Sequence, residues 1–201
     1  MVSILLCSGN GRLSRTIRVA NYLTGVRGPA CKISHVAMRF GQKGECVFES
    51  TTMNKWAIKD GQPKTGVQIN HYDKWLENYN GKVWERATDV SYKLLEKPIM
   101  DILGTPYESG IPGLLELLGA ILQLQVRDDL DEIHCSESVV KVLQDIGFVP
   151  RETCPYLDFG MDNKTCFPII PANYPPHTFW EGGCLEWIFK GYLGKCNLIK
   201  E

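Results

Sequence analysis

The stretch that most constrains this chain is His134-Cys135-Ser136-Glu137-Ser138-Val139-Val140-Lys141-Val142-Leu143-Gln144-Asp145-Ile146-Gly147. Val139, Val140, Leu143 and Ile146 recur at helical spacing, and Gly147 is a natural stop. A helix with one buried stripe has its rotation fixed, so Cys135 is held in the first turn. There the macrodipole and the unpaired backbone N–H groups favour a thiolate over a thiol. The same N–H groups suit an oxyanion. A cysteine so placed needs a base, and the rest of the chain must supply one.

The base is sought on a hairpin. Ile33–Phe40 reads as a strand, Gly41–Gly44 as a turn and Glu45–Ser50 as its partner. The register that pairs Arg39 with Glu45 also pairs Met38 with Cys46 and Val36 with Phe48 on one face. On the other face Ala37 meets Val47 and His35 meets Glu49, with Cβ atoms about 5 Å apart. An imidazole beside a carboxylate is a base with an orienting partner. Cys135, His35 and Glu49 are therefore the candidate nucleophile, base and orienter.

The other elements follow from breakers and periodicity. Val2–Leu6 is expected to be a strand and Ser8–Gly11 a turn. Ser14 is the expected cap of a helix to about Leu23, with Ile17, Val19, Ala20 and Leu23 on its apolar side. Trp56–Gly66 reads as loop, Val67–Asn70 as strand, Tyr72–Tyr79 as helix and Lys82–Arg86 as strand. Asp89–Leu103 is helical, broken or kinked at Pro98. Leu114–Val126 is an apolar helix too short to span a bilayer, read as core or else as a lid or interfacial helix. Beyond Pro150 the composition shifts to aromatics, Pro, Gly and Cys, with short strands expected at Tyr156–Phe159 and Cys166–Ile170. Leu185–Tyr192 and Asn197–Ile199 are ambiguous.

At 201 residues, with 44% apolar content, the chain is expected to form one domain over 1–201 with a core that needs no staples. A net charge of −1 with mixed signs argues against a nucleic-acid partner. Eight cysteines without a C-x-x-C pair argue against structural zinc, and no metal or cofactor is expected. A metal site built from Cys135, His35 and Glu49 is the weaker reading. No secretory signal is seen, so the expected setting is a reducing cytoplasm, with a Cys154–Cys166 bridge conceivable only after export.

Four segments give the chain a family resemblance. They are Ile4–Leu6 through Leu13-Ser14-Arg15-Thr16-Ile17-Arg18 to Thr24-Gly25, then Ser34-His35-Val36-Ala37, Phe48-Glu49-Ser50-Thr51-Thr52, and Cys135-Ser136-Glu137-Ser138-Val139-Val140. Together they resemble the circularly permuted branch of the NlpC-type, papain-like superfamily. Its relatives include YiiX-like bacterial proteins, certain poxviral proteins and, more distantly, the lecithin–retinol acyltransferases. The order His, Glu, Cys is what permutation implies. Gly104-Thr105-Pro106-Tyr107 resembles a segment whose tyrosine assists at the oxyanion, which makes Tyr107, with Ser34 and Ser136, a candidate oxyanion or substrate-binding residue. One departure is His134, where unpermuted members usually have Asp.

The resemblance covers roughly 2–150, with 151–201 an extension of the same domain. It implies an α+β fold, an antiparallel sheet or partial barrel packed on the cysteine helix. It implies a thiol hydrolase, a peptidase or amidase working through an acyl-enzyme on a peptide or peptidoglycan fragment. The alternatives are a lipid acyltransferase or esterase on an acyl-lipid substrate, and a non-catalytic binding protein of viral or phage type.

Overall fold

The computed structural model describes residues 1–23, 25–52, 65–107, 133–149, 152–153, 167–168, 179–180 and 195–201. Eight strands and four α-helices are formed among them. In chain order these are β1 (Val2–Gly9), α1 (Arg12–Leu23), β2 (His35–Phe40), β3 (Cys46–Thr51), β4 (Gly66–His71), α2 (Tyr72–Asn78), β5 (Gly81–Thr88), α3 (Glu96–Ile102), α4 (Cys135–Asp145), β6 (Glu152–Thr153), β7 (Phe167–Pro168) and β8 (Asn197–Lys200). Short 3-10 turns precede β2 at Gly28–Lys32 and α3 at Tyr92–Leu94. The architecture is α+β. An open antiparallel sheet of six strands runs in the order β4-β3-β2-β1-β5-β8, and β6 pairs with β7 apart from it.

Alternation along the central strands gives the sheet two apolar faces. Ile4 and Leu6 of β1, Val36 and Met38 of β2 and Phe48 of β3 pack with Val139, Val140 and Leu143 of α4. Leu5, Cys7, Ala37, Val47 and Val83 point the other way, onto Tyr72 and Trp75 of α2. A strand buried on both sides must be apolar at successive positions, which is why Ile4-Leu5-Leu6-Cys7 is unbroken. The ambiguous Asn197–Ile199 segment becomes edge strand β8, paired with β5.

The β2–β3 register differs from the expected one. Met38 pairs with Phe48, Arg39 with Val47 and Phe40 with Cys46. The shift is two residues, so the faces are preserved. Its cause is the turn. Gly41 and Gly44 take positive φ angles of 117° and 70°, and the Glu45 side chain folds back to accept the Lys43 N–H at 2.9 Å. Arg39 therefore turns from Glu45 to Glu85, at 3.1 Å, with its guanidinium 3.6 Å from the Tyr72 ring centroid. Extending this register sets Ala37, a mere methyl, opposite Glu49.

Two helices also depart from expectation. Helix α1 starts at Arg12, so Ser14 lies within its first turn instead of capping it. Ile17 faces the core as expected, but Val19 and Leu23 are 59% and 77% exposed. Asn21 sets the rotation: it is fully buried, with Nδ2 donating to the Ile33 carbonyl at 2.9 Å. Pro98 neither breaks nor kinks α3. It is the third residue of that helix, where an N–H would have no helical acceptor. The expectations at Trp56, Leu114–Val126, Tyr156–Phe159, Leu185–Tyr192 and the Cys154–Cys166 pair lie outside the described residues.

Candidate active site

Strand β2 opens with His35, at the end of the sheet, and its imidazole is 14% exposed. Its Nε2 lies 2.8 Å from Glu49 Oε2. The two residues sit diagonally across the hairpin, about 7–8 Å apart at the backbone, a span that long side chains bridge. The Cys135 sulfur is close enough to the ring for its charge to act on it. The Tyr79 ring stacks alongside at 6.5 Å between centroids, and Tyr79 in turn meets Trp75 at 5.0 Å.

Glu49 is 4% exposed, and it is held from several sides. Its Oε1 accepts from Asn70 Nδ2 at 2.8 Å, Trp75 Nε1 at 3.0 Å and Gln68 Nε2 at 3.4 Å. A buried carboxylate without such donors would be costly. Gln68 and Asn70 come from β4, where Glu49 pairs with Gln68 and Val47 with Asn70. Sequence reasoning did not assign these three donors. The signal was the polar alternation Gln68-x-Asn70 in a strand otherwise fit for a core.

Cys135 is the first residue of α4 and is 3% exposed. It packs with the helix-side core, yet it reaches His35 because that residue ends the strand. The start of α4 is pinned at several points. Ser50 Oγ donates to the Ile133 carbonyl at 2.7 Å, and Ile133 N–H to the Pro106 carbonyl at 3.0 Å. Glu137 reaches back to the His134 N–H at 3.1 Å, the glutamate half of a capping box. That same Ser50 belongs to β3, one residue after Glu49, so one strand holds both His35 and the start of α4.

Burial, the largest influence on His35, pushes its pKa down. The charge of the Cys135 sulfur and the bond and charge of Glu49 outweigh it, raising the pKa from 6.5 to about 10. Nearby Cys7, which pairs with His35 across β1 and β2, is pushed well above the ordinary thiol range, chiefly by burial.

A cleft of about 440 Å³ opens onto His35 and Glu49, while Cys135 is not in its wall. Its walls include His35, Glu49, Ser34, Tyr79 and Tyr107, with Arg12, Leu13 and Ser14 from the start of α1. Ser34 is buried, its Oγ accepting the Gly9 N–H at 3.2 Å. Tyr107 stands edge-on to His134, the residue before Cys135, at 5.8 Å between ring centroids. Ser136 is buried in the first turn of α4 and is not part of that wall. His71 is exposed at the start of α2.

No family model matches the chain, and no curated protein matches it. Among solved structures, it is similar to the metalloprotein yiiX from Escherichia coli O157:H7, DUF1105. The identity is 16%, the match covers 98% of this chain and 86% of that chain, and the TM-score is 0.49. No helix among the described residues is long and apolar enough to cross a membrane.

Proposed function

We propose that this chain is a cysteine-dependent hydrolase of the permuted papain-like kind, acting on an amide or ester carbonyl. The observation that carries the reading is His35, held by Glu49 through Nε2 at 2.8 Å and close enough to the Cys135 sulfur for its charge to act on the ring. A thiol nucleophile requires a base to take its proton and a third group to hold that base. Glu49, locked by Asn70, Trp75 and Gln68, suits the holding role.

The chemistry then runs in two halves. The Cys135 sulfur attacks the carbonyl carbon, and the first-turn N–H groups of α4, with the Tyr107 hydroxyl, hold the oxygen that gains the charge. The carbon–nitrogen or carbon–oxygen bond breaks as the His35 proton passes to the leaving atom. An acidity near 10 makes imidazolium a weak donor at rest. Once the sulfur is acylated its charge is gone, and with it much of what holds the proton on His35. The donor therefore becomes acidic at the step that needs it. Neutral His35 next takes a proton from water, the hydroxide attacks the thioester, and the acid leaves as thiolate and imidazolium re-form.

A metal reading of the same residues is less suited to this geometry. Glu49 spends one oxygen on His35 and the other on three donors, which leaves its carboxylate little capacity for a cation. Cys7, Cys31, Cys46 and Cys135 carry free thiols, which fits work in a reducing compartment.

The test is acyl-enzyme capture. Incubation with 4-nitrophenyl acetate followed by peptide mass spectrometry is expected to place one acetyl group on Cys135, absent in Cys135→Ala and strongly reduced in His35→Ala. Acetylation spread over other thiols and unaffected by His35→Ala would end the reading. A panel of peptide amides and lipid esters then separates the two substrate classes.

A further inference from the structure

The near-neutral charge of the whole chain conceals a strong segregation. No Asp or Glu precedes Glu45, whereas seven Lys and Arg do: Arg12, Arg15, Arg18, Arg27, Lys32, Arg39 and Lys43. Three of these lie on α1, which has no acid in its sequence. The outward face of that helix is formed by Arg12, Arg15, Thr16, Val19, Tyr22 and Leu23, all exposed. Val19, Tyr22 and Leu23 are 59%, 57% and 77% exposed, in the last two turns of the helix. Arg27 adds a further cation there, its guanidinium 4.5 Å from the Tyr22 ring centroid.

Cations and bare apolar side chains on one acid-free face are a costly surface for water alone. They match the boundary of an anionic bilayer, where headgroups take the arginines and the acyl region takes the aliphatic and aromatic tips. A nucleic acid or an acidic protein surface would reward the arginines but would leave Val19 and Leu23 without a use. The cations also continue inward. A second cleft, of about 580 Å³, has Arg18, Lys32 and Lys82 in its wall. Its remaining charges are Lys200, already donating to the Leu76 and Glu77 carbonyls, and the single acid Glu201.

We infer that the outward face of α1 docks this protein on an anionic lipid surface, with Val19, Tyr22 and Leu23 inserted at the headgroup boundary. Arg12, Leu13, Ser14 and Ile17 of the same helix line the candidate active-site cleft. Docking through α1 sets that cleft beside the bilayer. The inference is independent of the thiol chemistry, since vesicle binding needs no reaction at Cys135.

The experiment is co-sedimentation of the full chain with vesicles of phosphatidylcholine alone or of phosphatidylcholine with phosphatidylserine, at low and physiological salt. The wild type and Cys135→Ala are expected to partition alike, and at least about tenfold better onto the anionic vesicles. Arg15→Glu and the pair Val19→Asp with Leu23→Asp are each expected to weaken that binding about tenfold or more. All three positions are exposed, and an unchanged melting temperature checks that each variant remains folded. Equal partition on both vesicles, or none, overturns the inference. So does binding that Arg15→Glu weakens but the aspartate pair leaves intact. That result, with heparin competing freely, would assign the face to an acidic macromolecule.

Discussion

Glu49 is the residue on which the candidate site turns. It is nearly buried, and four side chains hold it: His35 on one oxygen and Asn70, Trp75 and Gln68 on the other. Glu49→Gln keeps the size but replaces an acceptor-only group with one that must also donate. Its amide cannot both accept from the indole and support an imidazolium. The expected result is a loss of about a hundredfold in the rate of Cys135 acylation, with little change in fold, read by burst kinetics. Trp75→Phe removes one donor from the buried carboxylate and is expected to cost about 2 kcal/mol of stability in urea unfolding. Conversely, Tyr107→Phe keeps the ring against His134 and removes only the hydroxyl. If that hydroxyl holds the oxyanion, acylation slows by about 10²-fold while iodoacetamide labelling is unchanged.

At the scale of elements, α4 is held by packing and β3 by its ladder, and their junction is the Ser50–Ile133 hydrogen bond. Leu143 is fully buried on the apolar stripe of α4, so Leu143→Ala is expected to cost about 2–5 kcal/mol. Ser50→Ala is expected to cost about 1–3 kcal/mol, because the Ile133 carbonyl is left buried and unmet. Helix α4 was legible in the sequence because Val139, Val140 and Leu143 form a periodic stripe that only one rotation can bury. The faces of β2 and β3 were legible for the same reason. Their register was not, since it is decided by two positive-φ glycines and by where Glu45 folds, and an Arg39–Glu45 pairing satisfies the pattern equally well. The rotation of α1 was also hidden. Its apolar residues are spread around the helix, and the deciding contact is a long-range bond from Asn21 to the Ile33 carbonyl. Gln68, Asn70 and Trp75 were visible as residues, but their convergence on Glu49 depends on β4 lying beside β3 and α2 following it.

At the scale of the molecule, the sheet is clamped between α4 on one face and α2 on the other, and the candidate site lies where both helices meet the end of β2. The ionisation of the site is therefore coupled to global stability. The His35 pKa is raised from 6.5 to about 10 in the folded state. A raised value stabilises the fold fully below the unfolded pKa of about 6.5, where both states hold the proton. Between pH 6.5 and 10 the unfolded chain loses that proton while the folded one keeps it, so the contribution declines. The stability advantage of wild type over His35→Gln is thus expected to be largest at and below pH 6.5 and to shrink toward pH 10, as read by urea titrations across that range.

The most direct test of the central claim, that His35 and Cys135 act as one proton-sharing pair, is the iodoacetamide reaction rate of Cys135 from pH 4 to 9 in wild type and His35→Ala. Peptide mass spectrometry assigns the label among the eight thiols. The pair predicts a fast rate at Cys135 that is nearly flat across neutral pH and that falls by about tenfold or more at pH 6 in His35→Ala. A rate that climbs steadily with pH like that of a free thiol, and that is the same in both proteins, would contradict it.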